Sequence, residues 1–123
     1  MASTTFSGPV TSTAGFISGS DSLVSVAANA TLTAASNAGR TMNLNVASGA
    51  TVTLPAASGT GNIYRFFVQT TVTSNSYIIQ VANANDTMAG VAIVANDGDN
   101  TASIFETVAA SDTITLNGST TGG

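Results

Sequence analysis

Apolar and polar side chains alternate along several short stretches of this chain, and the clearest stretch runs from Thr51 to Gln69, TVTLPAASGTGNIYRFFVQ. Val52 and Leu54 alternate with Thr51 and Thr53. Beyond a loop of small residues, Tyr64, Phe66 and Val68 alternate with Ile63, Arg65, Phe67 and Gln69. Successive side chains of a strand point to opposite faces, so this pattern predicts strands with one face buried and one exposed. Upstream, Met42, Leu44 and Val46 oppose Thr41, Asn43 and Asn45. Ser48-Gly49 then marks a turn and residues 51–54 return, which is the signature of a hairpin.

The same reading predicts strands over residues 23–26, 30–33, 41–46, 51–54, 62–70, 77–81, 101–108 and 113–116. The alanine-rich stretch 27–35 admits a short helix, although Thr31 and Thr33 favour an extended chain. Residues 88–94 are mostly apolar, which predicts a position between two layers. Asn96-Asp97-Gly98-Asp99 is the strongest turn, because Asp-Gly suits positions that need positive φ, and Asn117-Gly118 supplies a last one. Eight or nine short strands separated by turns predict an all-β fold, an antiparallel β-sandwich or jelly-roll-like barrel. No fixed repeat period emerges, although TVTL at 51–54 and TITL at 113–116 look alike.

Residues 1–20 differ from the rest. Ser, Thr and Gly dominate, Pro9 favours extended backbone, and Phe6, Val10, Phe16 and Ile17 are the sizeable apolar side chains. Two domains of behaviour follow: an extended N-terminal arm over 1–20 and a β domain over 21–123. The phenylalanines either fold back onto the same domain or anchor the arm on a neighbouring subunit. The first residues contain neither the basic nor the apolar region of a secretory signal. No apolar run approaches the roughly 18 residues of a spanning helix, so no membrane partner is expected.

Composition narrows the chemistry. The 123 residues suit one domain and include no His, Cys or Trp. The commonest general base, the commonest metal ligand and any disulfide are thereby absent. Charged residues make up 7% of the chain, against about 25% in an average protein. The formal charge is −4, and Arg40 and Arg65 are the only cations. That leaves no basic footprint for nucleic acid. With 43% hydrophobic residues the chain is no disordered linker, and so weakly charged a surface suits a packed assembly.

Candidate sites are few. Asn96, Asp97, Asp99 and Asn100 could offer oxygen ligands to calcium, yet they lack EF-hand spacing, and a tight solvated turn needs no metal. Glu106 and Asp112 could in principle form a carboxylate pair of a glycosidase kind, though so few carboxylates argue against it, and a serine or threonine nucleophile would have no histidine or lysine as base. Neither an enzyme nor a cofactor is expected. Three Asn-x-Ser/Thr triplets begin at Asn29, Asn85 and Asn117, a number that chance supplies in so Asn- and Thr-rich a chain. Arg65 shares its strand face with Ile63 and Phe67, so its guanidinium either reaches water at a sheet end or meets a carboxylate of another subunit.

Taken together, GPVTSTAGFISG, TVTLPAASGTGNIYRFFVQ and SYIIQVANANDTMAGVAIVANDGDNTASIFETVAASDTITLNG resemble a family of small tailed-bacteriophage structural proteins that are similar to head decoration (cement) proteins. The resemblance covers most of the chain from Gly8 to Gly123. It implies a β-rich protein on the outer surface of the virion capsid. There it would bind the major capsid protein of an assembled icosahedral head as a homotrimer or other symmetric homo-oligomer, and stabilise contacts between capsomers. Phe6, Pro9, Val10, Phe16, Arg65 and Phe67 are the candidate subunit or capsid contacts. The alternative is a phage tail-fibre, receptor-binding or adhesin β-module, and a calcium-dependent carbohydrate-binding module is a third possibility.

Overall fold

The computed structural model describes residues 5, 7–9, 23–59, 61–96, 98 and 100–118. Most of the regular structure is β: β1 (Leu23–Val26), β2 (Ala30–Thr31), β3 (Thr41–Leu44), β4 (Ala50–Thr53), β5 (Arg65–Val68), β6 (Tyr77–Gln80), β7 (Val91–Asn96), β8 (Thr101–Glu106) and β9 (Thr113–Leu116). A single turn of helix, α1 (Ala34–Asn37), lies between β2 and β3. Strand positions agree with the sequence pattern to within a few residues, and β9 matches it at both ends.

Pairing is where the expectation fails. Strands β1, β3 and β5 form one sheet, all parallel; β2, β4 and β6 form a second parallel set, to which β9 adds antiparallel. The chain therefore alternates between the two sheets, laying one strand in each per coil, and three coils stack as a short β-solenoid. An antiparallel β-sandwich or jelly-roll is not what forms in the described residues. The expected hairpin of 41–46 with 51–54 is likewise absent, since β3 and β4 belong to different sheets. Among the described residues, antiparallel pairing is confined to β6 with β9 and to β7 with β8.

The reason lies at Gly49. Its φ of +78° turns the chain, and a Cβ there would stand 2.5 Å from the carbonyl oxygen of Ser76. Ser48-Gly49 is thus a corner pressed against the next coil, not the tip of a hairpin. Only glycine allows backbone to approach backbone so closely. Gly39 makes the equivalent bend after α1, with φ +77°, and its N–H donates to Ile63 O at 2.8 Å.

Stacking brings like positions into columns. Val24, Met42 and Phe66 are in register across the first sheet, as are Val26, Leu44 and Val68. Ala30, Val52, Ile79 and Ile114 form a column in the second sheet, and Ala50, Tyr77 and Leu116 another. All but Ile114, which is 48% exposed at the end of its column, face the core, in which Met42, Leu44, Val52 and Tyr77 are fully buried. Removing their apolar surface from water supplies on the order of 1.5–3 kcal/mol per large side chain. The polar end of Tyr77 is matched: its hydroxyl accepts from Val46 N (2.8 Å) and lies 2.8 and 2.9 Å from the carbonyls of Val46 and Thr70, one of which takes its proton.

Corners are held by side chains. Thr33 caps α1, its hydroxyl accepting from Ser36 N at 3.3 Å, while Asn37 Oδ1 accepts from Thr33 N at 2.8 Å. Asn29 Oδ1 accepts from Thr51 N, and Asn75 donates to Ser48 O. The Asn- and Thr-rich composition is thus spent on satisfying backbone where the coils bend.

Candidate functional site

Two surfaces stand out against this body, and both display apolar side chains. The first is the outer face of the β1–β3–β5 sheet. Alternation that sends Val24, Val26, Phe66 and Val68 inward sends Leu23, Ser25, Arg65 and Phe67 outward. Leu23, Ile63 and Phe67 are all more than half exposed, Phe67 at 61%. Asn43 and Gln69 are hydrogen-bonded across this face, and Thr70 Oγ1 donates to Asn45 at 2.6 Å.

Both arginines sit at one end of this sheet. Arg65 N donates to Arg40 O, the Arg65 guanidinium donates to Gly39 O at 3.1 Å, and that of Arg40 donates to Ser36 O at 2.8 Å. A carbonyl accepts the hydrogen bond without cancelling the charge, so this end of the sheet is cationic. Two buried polar atoms here, Arg40 Nε and Asn43 Oδ1, have no hydrogen-bond partner among the described residues.

The second surface is the β7–β8 hairpin. It belongs to neither sheet of the solenoid. A ladder of hydrogen bonds, from Val81 N to Asp112 O, Met88 N to Ser111 O and Thr107 N to Gly90 O, carries the β6–β9 pairing outward into it. Six residues of strand make a ribbon about 20 Å long. One face presents Val91, Ile93, Ile104 and Glu106, with Ile93 directly opposite Ile104 and Val91 opposite Glu106. Ile93 is 70% and Ile104 68% exposed. Phe105 on the other face is also exposed, as is Val108 beyond the strand. At the base of the ribbon, Met88, Val91, Phe105, Val108 and Ile114 line an open groove of about 360 Å³.

The apolar run 88–94 was expected between two layers, and the structure places its strand outside the core. An uninterrupted apolar run does not say whether its cover comes from the same chain. The sequence signal missed here is that β7 and β8 are both apolar on the face they share, with only a four-residue turn between them.

Of the expected contact residues, Arg65 and Phe67 are adjacent on the outer sheet face and exposed. Pro9 is exposed; Phe6, Val10 and Phe16 lie outside the described residues, as does most of the arm over 1–20. Asp97 and Asp99 also lie outside them, so the calcium reading of that turn gains no geometry. Among the described residues, no group of three or more acidic residues is placed to hold a metal ion. No helix among the described residues is long and apolar enough to cross a membrane.

No family model, no curated protein and no solved structure matches this chain.

Proposed function

We propose that this protein is a structural component of a phage particle, a capsid decoration (cement) protein that binds the outside of an assembled head through the major capsid protein. The observation that supports an assembly role is the distribution of apolar side chains. A small core is enclosed by three coils, while Leu23, Ile63 and Phe67 on one surface and Val91, Ile93, Ile104, Phe105 and Val108 on another face solvent. Patches of this kind mark surfaces made to be covered by a partner. The choice of a capsid partner comes from the resemblance in sequence. A protein that binds only the assembled shell adds its binding free energy to the stability of that shell, and many weak contacts repeated by symmetry suffice. It acts by shape and carries no catalytic step.

The stacking of coils favours one second reading, a tail-fibre or receptor-binding module, since a solenoid lengthens along its axis by adding coils. Abundance separates the two. Quantitative mass spectrometry of purified virions should find the decoration protein in copy numbers approaching those of the major capsid protein; a handful of copies per particle selects the fibre. Absence from finished particles removes both. Deleting residues 2–20 tests the arm: undiminished affinity for empty shells would show that Phe6, Pro9, Val10 and Phe16 make no essential contact.

A further inference from the structure

The ribbon cannot be explained by the body that carries it. A two-stranded hairpin is at best marginal in water, and this one exposes apolar side chains on both faces. Its charge narrows the choice of cover. Glu106 is exposed on the face that carries Val91, Ile93 and Ile104, and no basic residue lies between Val91 and Glu106. Both basic residues of the whole chain stand instead at one end of the β1–β3–β5 sheet. Around them are Leu23, Ile63 and Phe67, also exposed. One surface is therefore apolar and acidic, the other apolar and basic, and one molecule carries both.

We propose that the β7–β8 ribbon of one copy packs across the outer face of the β1–β3–β5 sheet of a second copy, with Glu106 opposite Arg65. Val91, Ile93 and Ile104 then meet Leu23, Ile63 and Phe67, face to face at the usual sheet separation of about 10 Å. The dimensions agree. Three strands about 4.8 Å apart give the receiving sheet a width of about 10 Å, which the ribbon's length of about 20 Å spans when it lies across them. The contact is heterologous, because the surface given differs from the surface received. Each subunit uses both, so the arrangement closes into a ring or continues as a filament. A footprint this small falls below the ~800 Å² per partner of a standard interface. Closure remedies that, since every subunit of a ring is held twice. The contact does not depend on the capsid reading: it describes how copies of this chain hold one another, whatever else they bind.

Charge reversal tests it on the full-length chain. Sedimentation velocity across a micromolar concentration series is expected to show species larger than the monomer. Arg65→Glu and Glu106→Arg, each at an exposed position, should each weaken self-association by roughly tenfold, as like charges then face each other across the contact. The double variant R65E/E106R should restore it to within about threefold of the parent, because the pair is rebuilt with its polarity exchanged. Ile104→Asp should abolish association without rescue by either reversal. Circular dichroism and melting of every variant check that the fold is kept. A chain that stays monomeric throughout the series overturns the contact, and so does an oligomer indifferent to both reversals or not rescued by the double change. Binding to purified empty shells is measured separately. A monomer that still decorates shells sinks the contact alone, and a charge-rescued oligomer that ignores shells sinks the decoration reading alone.

Discussion

The coiled body and the ribbon are made from the same residue alphabet, yet they hold together differently. In the body, Met42, Leu44, Val52 and Tyr77 are wholly enclosed, each stacked on like positions of the neighbouring coil. In the ribbon, Ile93 faces Ile104 in an equally good cross-strand pair, and both remain largely in water. Pairing alone does not remove apolar surface; a second layer does. The difference teaches that the body supplies its own second layer and the ribbon does not; the contact proposed between copies would supply it.

The largest effect expected from this contrast is in the body. Leu44→Ala removes a fully buried side chain from the middle coil and should cost about 3 kcal/mol, within the range of buried Leu truncations. Ile104→Ala makes nearly the same chemical change in the ribbon, and urea denaturation of the monomer should register under ~0.5 kcal/mol. Equal losses at the two positions would show that the ribbon is folded against the body after all.

Gly49→Ala comes next. The residue has φ of +78°, and the added methyl would lie 2.5 Å from Ser76 O. Conformational strain of about 1–2 kcal/mol is joined by a clash that neither backbone can relieve without separating the coils. Gly59→Ala provides the control, with φ of +68° and no atom within 4 Å of the new methyl. Its cost should be strain alone, about 1 kcal/mol. Thermal melts that place the two variants together would remove coil-to-coil contact as the reason for glycine at position 49.

Gly49 also shows how far the sequence could be read. The alternation of Met42 and Leu44 with Thr41 and Asn43 told correctly which side chains enter the core. Alternation has a period of two whichever strand lies alongside, so it carries no information about the partner. A Ser-Gly pair between two alternating runs is compatible with a hairpin tip and with a solenoid corner. What separates them is Ser76, twenty-seven residues away, and that proximity exists only once the coils are stacked. Coils of unequal length hid the repeat: Leu23 stacks on Thr41, eighteen residues on, but Thr41 on Arg65, twenty-four residues on. Of the contact surface, the exposed pairing of Arg65 with Phe67 was legible from strand parity. The ribbon was not, because an apolar run looks the same under either kind of cover.

Tyr77→Phe removes a hydroxyl that accepts from Val46 N and sits beside two carbonyls in a fully enclosed position. Leaving a buried N–H unpaired should cost about 1–3 kcal/mol. Hydrogen exchange at the Val46 amide is the direct readout, and it should accelerate more than that of its neighbours. An unchanged rate would show that this N–H finds another acceptor. At the margin of the body, Thr33→Ala deletes the cap of α1 and should cost about 1 kcal/mol or less, since the helix is a single exposed turn.

A change of polarity at nearly constant shape bears most directly on the two regions. Thr is close in shape to Val, so Val52→Thr changes little but polarity in the enclosed column between Ala30 and Ile79. A hydroxyl there has to find a partner in the core or go without, at about 1–3 kcal/mol. Ile104→Thr in the ribbon sets the same hydroxyl in water, where it is hydrated in the folded and unfolded chain alike. Stability of the monomer should stay within about 0.5 kcal/mol of the parent, while self-association should weaken as the polar group is carried into the contact. Concentration-dependent melting resolves the two contributions: the parent's melting temperature should rise with protein concentration, and that of Ile104→Thr should rise less. A ribbon variant that loses monomer stability and keeps the concentration dependence would reverse the roles assigned to the two regions.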